Sequence, residues 1–138
     1  MLASLPTNLI ISLNRFEFDV QRSRRVKINT PIFLTESIQI KIKDGHELQV
    51  YNLYAVVIHT GESANHGHYY TYAKDSVSEE RSPNGEQWLL YNDTSVTISS
   101  FEAMQQALVT SRSDTPYMLF FRKSEGKGLR AKRSISNL

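Results

Sequence analysis

The chain reads as an α+β domain dominated by an antiparallel sheet with one short helix, and three observations predict it. Ser37-Ile38-Gln39-Ile40-Lys41-Ile42-Lys43 alternates strictly, so three isoleucines share one face while polar residues take the other. Two aromatic-rich runs, Gly67 to Ala73 and Trp88 to Asp93, flank a polar stretch, as antiparallel partners joined by a loop would. A single stretch has helical spacing: Phe101, Met104 and Leu108 follow a Ser99/Glu102 capping box. Several strands with one helix argue for α+β.

In chain order, Leu9 to Leu13 is a short isoleucine-rich run suited to a buried strand. Arg22, Arg24, Arg25 and Lys27 follow Asp19 and read as a solvated hairpin tip. The alternating strand 37–43 leads into Lys43-Asp44-Gly45-His46-Glu47, a polar turn around Gly45. Leu53 to Ile58 is continuously apolar, and the strand ends at His59-Thr60-Gly61, where a loop begins. If Tyr72 then pairs with Trp88, the register sets Tyr69 opposite Tyr91 and His68 opposite Asn92. Opposed residues have Cβ atoms about 4.5–5.5 Å apart, within reach of an imidazole–amide hydrogen bond. Lys74 to Gln87, rich in Ser, Pro, Asn and Gly, reads as a long exposed loop. Tyr117 to Arg122 closes the sheet. Beyond Lys123 the composition turns basic and glycine-bearing, predicting a flexible tail over 124–138, in which Arg130-Ala131-Lys132-Arg133 is at most a weak anionic-surface or nuclear-import patch.

Composition excludes more than it identifies. The 138 residues, 40% hydrophobic, match one ordinary domain. A net charge of +2 from 16 basic and 14 acidic residues is too balanced for a nucleic-acid partner. Tyr69, Tyr70, Tyr72, Trp88 and Tyr91 accordingly read as core and channel packing, not a base-stacking platform. With no cysteine, disulfides and zinc-thiolate sites are ruled out, and neither metal nor cofactor is expected. No apolar run approaches the ~18 residues of a membrane span, and Met1-Leu2-Ala3-Ser4 lacks a secretory plan. The expectation is an intracellular protein, cytoplasmic, nuclear or both, with no membrane partner.

An ordered set of motifs narrows the function: Leu13-Asn14-Arg15-Phe16, Lys27-Ile28-Asn29-Thr30-Pro31, His59-Thr60-Gly61, Gly67-His68-Tyr69-Tyr70, Trp88 with Tyr91-Asn92-Asp93 and Val96, and Tyr117-Met118-Leu119-Phe120-Phe121. Together they resemble the C-terminal half of a ubiquitin-specific protease catalytic domain over roughly residues 5 to 122, with the domain placed at 1–123. The resemblance implies a papain-like cysteine peptidase fold of that type, of which this chain is the mostly antiparallel half. It also implies that His68 is the base toward a cysteine thiol and that Asn92 orients its ring, with adjacent, charged Asp93 the competing candidate. Gly67, Tyr69 and His66 would border the channel for the ubiquitin tail, where His66 either narrows the channel or is a solvated loop histidine. The implied partners are ubiquitin or a ubiquitinated protein and the missing N-terminal half of the catalytic domain.

The chain departs from the family in having no thiol to activate. Ser63, Ser95 and Ser99 do not sit in a nucleophile turn. These residues alone are therefore expected not to cleave ubiquitin. Three readings stand: a fragment supplying the His and Asn/Asp side of a deubiquitinating thiol isopeptidase; a non-catalytic ubiquitin-binding or scaffold module; and an unrelated β domain with an accidental Gly-His-Tyr.

Overall fold

A computed structural model describes residues 5–41, 48–63, 65–75 and 87–125. Within them run β1 (Asn8–Ser12), β2 (Phe16–Asp19), β3 (Arg24–Lys27), β4 (Ser37–Lys41), β5 (Leu48–Thr60), β6 (His68–Lys74), β7 (Trp88–Asn92), β8 (Ser95–Ser99), α1 (Phe101–Thr110) and β9 (Thr115–Lys123). Six strands lie in the order β1-β9-β5-β6-β7-β8, every pairing antiparallel, with β4 a seventh on β5. β2 and β3 form a separate hairpin.

β5 is the organising strand. The apolar run 53–58 continues at both ends to span Leu48–Thr60, because β4 pairs with its first five residues, β6 with Ala55 to Thr60, and β9 with its other edge from Tyr51 to His59. β9 therefore lies inside the sheet between β1 and β5, and does not close it. The far edge is β8, whose Val96 and Ile98 are exposed.

One face of the sheet carries the core. Tyr51, Leu53, Val56, Ile58, Tyr72, Trp88, Leu119 and Phe121 cluster there with Met104 and Leu108 of α1. Each such fully buried side chain contributes about 1.5–3 kcal/mol. The helical period over Phe101, Met104 and Leu108 thus reads out correctly, but the cap does not: Ser99 ends β8, and Ser100 is the N-cap, its Oγ accepting from Ala103 N–H at 3.0 Å. Glu102 consequently falls one position short of the reciprocal capping-box bond. In β1, Leu9 and Ile11 face the core while Ile10 is 54% exposed, so this strand is buried on one face only.

Two turn or loop expectations, 43–47 and most of 74–87, fall outside the described residues, as does the basic tail beyond Glu125. Among the described residues no helix is long and apolar enough to cross a membrane.

Candidate active site

His68 opens β6 and sits opposite Thr60, the last residue of β5, at one end of the sheet. The β6–β7 register differs by two residues from the Tyr72–Trp88 pairing expected: Lys74 faces Trp88, Tyr72 faces Leu90, and the ladder stops at Thr71–Tyr91. His68 therefore lies diagonal to Asn92. A two-residue offset preserves the face a side chain points to, since strand side chains alternate with period two, and diagonal neighbours remain within reach of long side chains. His68 Nε2 and Asn92 Oδ1 meet at 2.6 Å. Asn92 Oδ1 can only accept, so Nε2 donates to it; in a neutral ring that arrangement leaves the Nδ1 lone pair free.

Asp93 reaches the same ring from another direction. It is not a strand residue: Asp93 and Thr94 make the tight turn into β8, and Asp93 has a φ of 52°, a left-handed conformation that Asp tolerates. Alternation thus no longer opposes Asp93 to Asn92, and its Oδ2 comes to 3.7 Å from His68 Nε2. That is beyond hydrogen-bond length, and the Asp93 side chain is 77% exposed, so any attraction is screened.

The three residues expected to border a channel divide. Gly67 is tightly enclosed on one side: a Cβ there would lie 2.3 Å from His59 Nε2 and 2.6 Å from the Thr60 carbonyl oxygen. His66 is exposed, with its backbone N–H donating to Ser63 Oγ at 3.2 Å. Tyr69 points to the sheet face opposite His68; it is 49% exposed, with its ring against His59 (centroids 4.9 Å) and Tyr117 (5.5 Å).

Beneath this surface lies a polar scaffold that the residue pattern did not reveal. His59 is 1% exposed, packed edge-on against Phe16 and Tyr69, with Nδ1 unpartnered. Burial, followed by the nearby Lys27 ammonium, pulls its pKa below the ordinary histidine value, so it is held neutral. Lys27, expected at a solvated hairpin tip, instead turns inward and donates to the carbonyls of His59 (3.0 Å), Gly61 (2.8 Å) and Ser113. Arg22, Arg24 and Arg25 are exposed as expected of the tip, Arg22 in a surface pair with Asp19 at 3.6 Å. Arg15 is 3% exposed and bridges Pro116 O, Ile28 O and Thr30 O, which ties the β1–β2 junction to β9.

Asp114 accepts from Tyr70 Oη at 3.0 Å and from Ser113 Oγ at 3.3 Å. Burial pushes its carboxyl up, but hydrogen bonds with Thr60, Tyr70, Ser113 and Ser111 more than offset this and leave its pKa below the ordinary value. Nothing local marks Lys27 in the sequence, because its acceptors lie 32 to 86 residues away, and the Tyr70 partner of Asp114 lies 44 residues away. Among the described residues no three His, Asp or Glu side chains gather as a metal site.

The chain matches the family model described as "Ubiquitin carboxyl-terminal hydrolase" over residues 1–121. It is 34% identical over 141 aligned residues to human ubiquitin carboxyl-terminal hydrolase 35, covering 96% of this chain and 14% of the relative. With ubiquitin carboxyl-terminal hydrolase 48 of Gallus gallus it shares 30% identity, covering 96% of this chain and 12% of that protein. Among solved structures it resembles a chain of a SAGA Ubp8/Sgf11/Sus1/Sgf73 DUB module at 26% identity and a TM-score of 0.70, covering 89% of this chain and 25% of the other. A form of that module bound to monoubiquitin matches with the same TM-score, identity and coverage of this chain, over 24% of its own. This chain thus spans about a quarter of those solved chains and about an eighth of the two relatives' length.

Proposed function

The chain belongs to the ubiquitin carboxyl-terminal hydrolase family, and from that premise we propose that it supplies the histidine and Asn/Asp side of a thiol isopeptidase acting at the ubiquitin C-terminus. The observation that carries this reading is the 2.6 Å contact between His68 Nε2 and Asn92 Oδ1. It fixes the tautomer whose Nδ1 can take a thiol proton and return it to the departing amine. Asn92 orients the ring without adding charge; Asp93, farther away and more exposed, adds at most a weak field.

The nucleophile comes from a partner segment, because the 138 residues include no cysteine. Surface pattern supports a second half packed on this one. On the sheet face turned away from α1, register aligns Ile10, Phe120, Ala55, Ala73, Leu89 and Ile98 in one row across six strands. Ile10 and Ile98 in that row are 54% and 76% exposed, and Val96 in the neighbouring row is 53% exposed. The exposed apolar side chains at Ile98 and Val96 mark an interaction face, and the occupant proposed is another part of the catalytic domain, on the side of the sheet opposite the one His68 shares with α1. Ubiquitin would run past Gly67 and Tyr69.

The test is a variant series in a protein joining this chain to such a half. Asn92→Ala should lower the maximal rate more than Asp93→Ala does. A silent Asn92→Ala beside an Asp93→Ala as damaging as His68→Ala would transfer the orienting role to Asp93.

A further inference from the structure

We propose that Lys27 is a positioning residue for His68, acting through the neck of the loop that precedes it. The inference rests on reading His68 as the base, and it concerns a side chain that neither pattern nor resemblance assigns. An ammonium has three N–H donors. Here all three are used on backbone carbonyls from two segments: His59 near the end of β5 and Gly61 at the start of the loop that follows it, and Ser113 before β9. Asp114, adjacent to Ser113, provides the compensating negative charge.

The clamp reaches His68 in three steps. Lys27 holds the Gly61 carbonyl. Gly61, at a φ of 116°, backs onto the other side of the loop so closely that a Cβ would meet His66 O at 3.0 Å and Gly67 Cα at 3.1 Å. Gly67 in turn is seated on His59, whose own carbonyl Lys27 also holds, and the next residue is His68. One cation thereby holds the β5 side of the neck, and Gly67 on the other side packs directly against it, so the ring's approach to Asn92 depends on a residue that touches neither. From the other side, Phe16, paired with Lys27 in the β2–β3 hairpin, packs on the His59 ring with centroids 5.3 Å apart.

The experiment is nitrogen NMR of the His68 ring, with amide hydrogen exchange, on the full 138-residue chain. In the wild type the ring should show the Nε2–H tautomer engaged with Asn92. Lys27→Met should move the ring resonances toward those of Asn92→Ala and raise exchange at Gly67 and His68 about tenfold, while β1 and β9 stay within about twofold. A folded Lys27→Met with wild-type His68 resonances overturns the proposal, as does an equal rise in exchange across the whole sheet. If that variant does not fold, Lys27→Arg is read the same way: it keeps the charge, but its donors are spread over a planar fork and do not radiate from the single nitrogen on which the three carbonyls converge. Arg25→Ala, on the same hairpin, should leave the ring unmoved. None of these readouts needs turnover. An inactive joined enzyme with an intact Lys27 response would therefore count against the isopeptidase reading and not against the clamp.

Discussion

Gly67→Ala is a one-carbon change whose cost the structure sets. The new Cβ would stand 2.3 Å from His59 Nε2, 2.8 Å from His59 Cε1 and 2.6 Å from the Thr60 carbonyl oxygen, against 3.4 Å or more for ordinary contact. Relief would require movements of about 0.6 to 1.1 Å. The His59 ring cannot swing away, because Phe16 and Tyr69 hold it on two sides and it is 1% exposed. The Thr60 oxygen belongs to the backbone at the β5–β6 pair that positions His68. Overpacking of this kind costs about 1–3 kcal/mol, which for a domain of this size lowers Tm by very roughly 3–15 °C. The strain also displaces His68, so in a protein carrying the nucleophile the maximal rate should fall with it. Thermal denaturation followed by circular dichroism measures the first effect and steady-state kinetics the second. A Gly67→Ala protein melting within a degree of wild type would refute the close-packed neck.

Three further outcomes are expected. The isolated chain should neither turn over a fluorogenic ubiquitin substrate nor be labelled by an electrophilic ubiquitin probe, since it has no thiol; turnover abolished by His68→Ala would require another nucleophile. The folded chain should lose stability as pH falls below about 6.5. Burial holds the folded-state pKa of His59 below the ordinary histidine value of about 6.5, so the unfolded chain binds the extra proton first, and stability falls until pH passes the folded value. Urea titrations at pH 7.5 and 5.5 should show the difference shrink in His59→Phe, and an unchanged difference would remove His59 as its source. Finally, the chain alone should bind a hydrophobic dye through the face around Ile98 and Val96, and Ile98→Lys with Val96→Lys should reduce it. A dye-negative, monomeric wild type would contradict the half-domain packing.

Strands with period-two or continuous apolar patterns were legible because burial is written into their own residues: Ile38 and Ile40 in β4, and Val56 and Ile58 in β5, pack as the pattern requires. The helix was legible for the same reason through Met104 and Leu108. What failed depended on long-range partners or on choices between equals. Ser99 and Ser100 both suit a cap, and only the end of β8 decides between them. β8 alternates polar and apolar residues as a half-buried strand would, but at the sheet edge its two apolar residues face outward. The β6–β7 register slipped by two because the segment between those strands gives no tight turn from which to count; His68 and Asn92 still met, since an even slip preserves the face. Asp93 was set against Asn92 by an alternation that ends one residue earlier, at the turn. Lys27 looked like its arginine neighbours, and only the fold brings the three carbonyls to it.

The central claim is that His68 acts on the chemical step and not on ubiquitin binding. Its most direct test measures the maximal rate and the ubiquitin Kd side by side for wild type and His68→Ala, in a protein that unites this chain with a cysteine-bearing half. The account predicts a rate at least about a hundredfold lower, in line with the loss of a general base, and a Kd within about threefold of wild type. A rate that survives the substitution, or a Kd that weakens in step with it, would contradict the account.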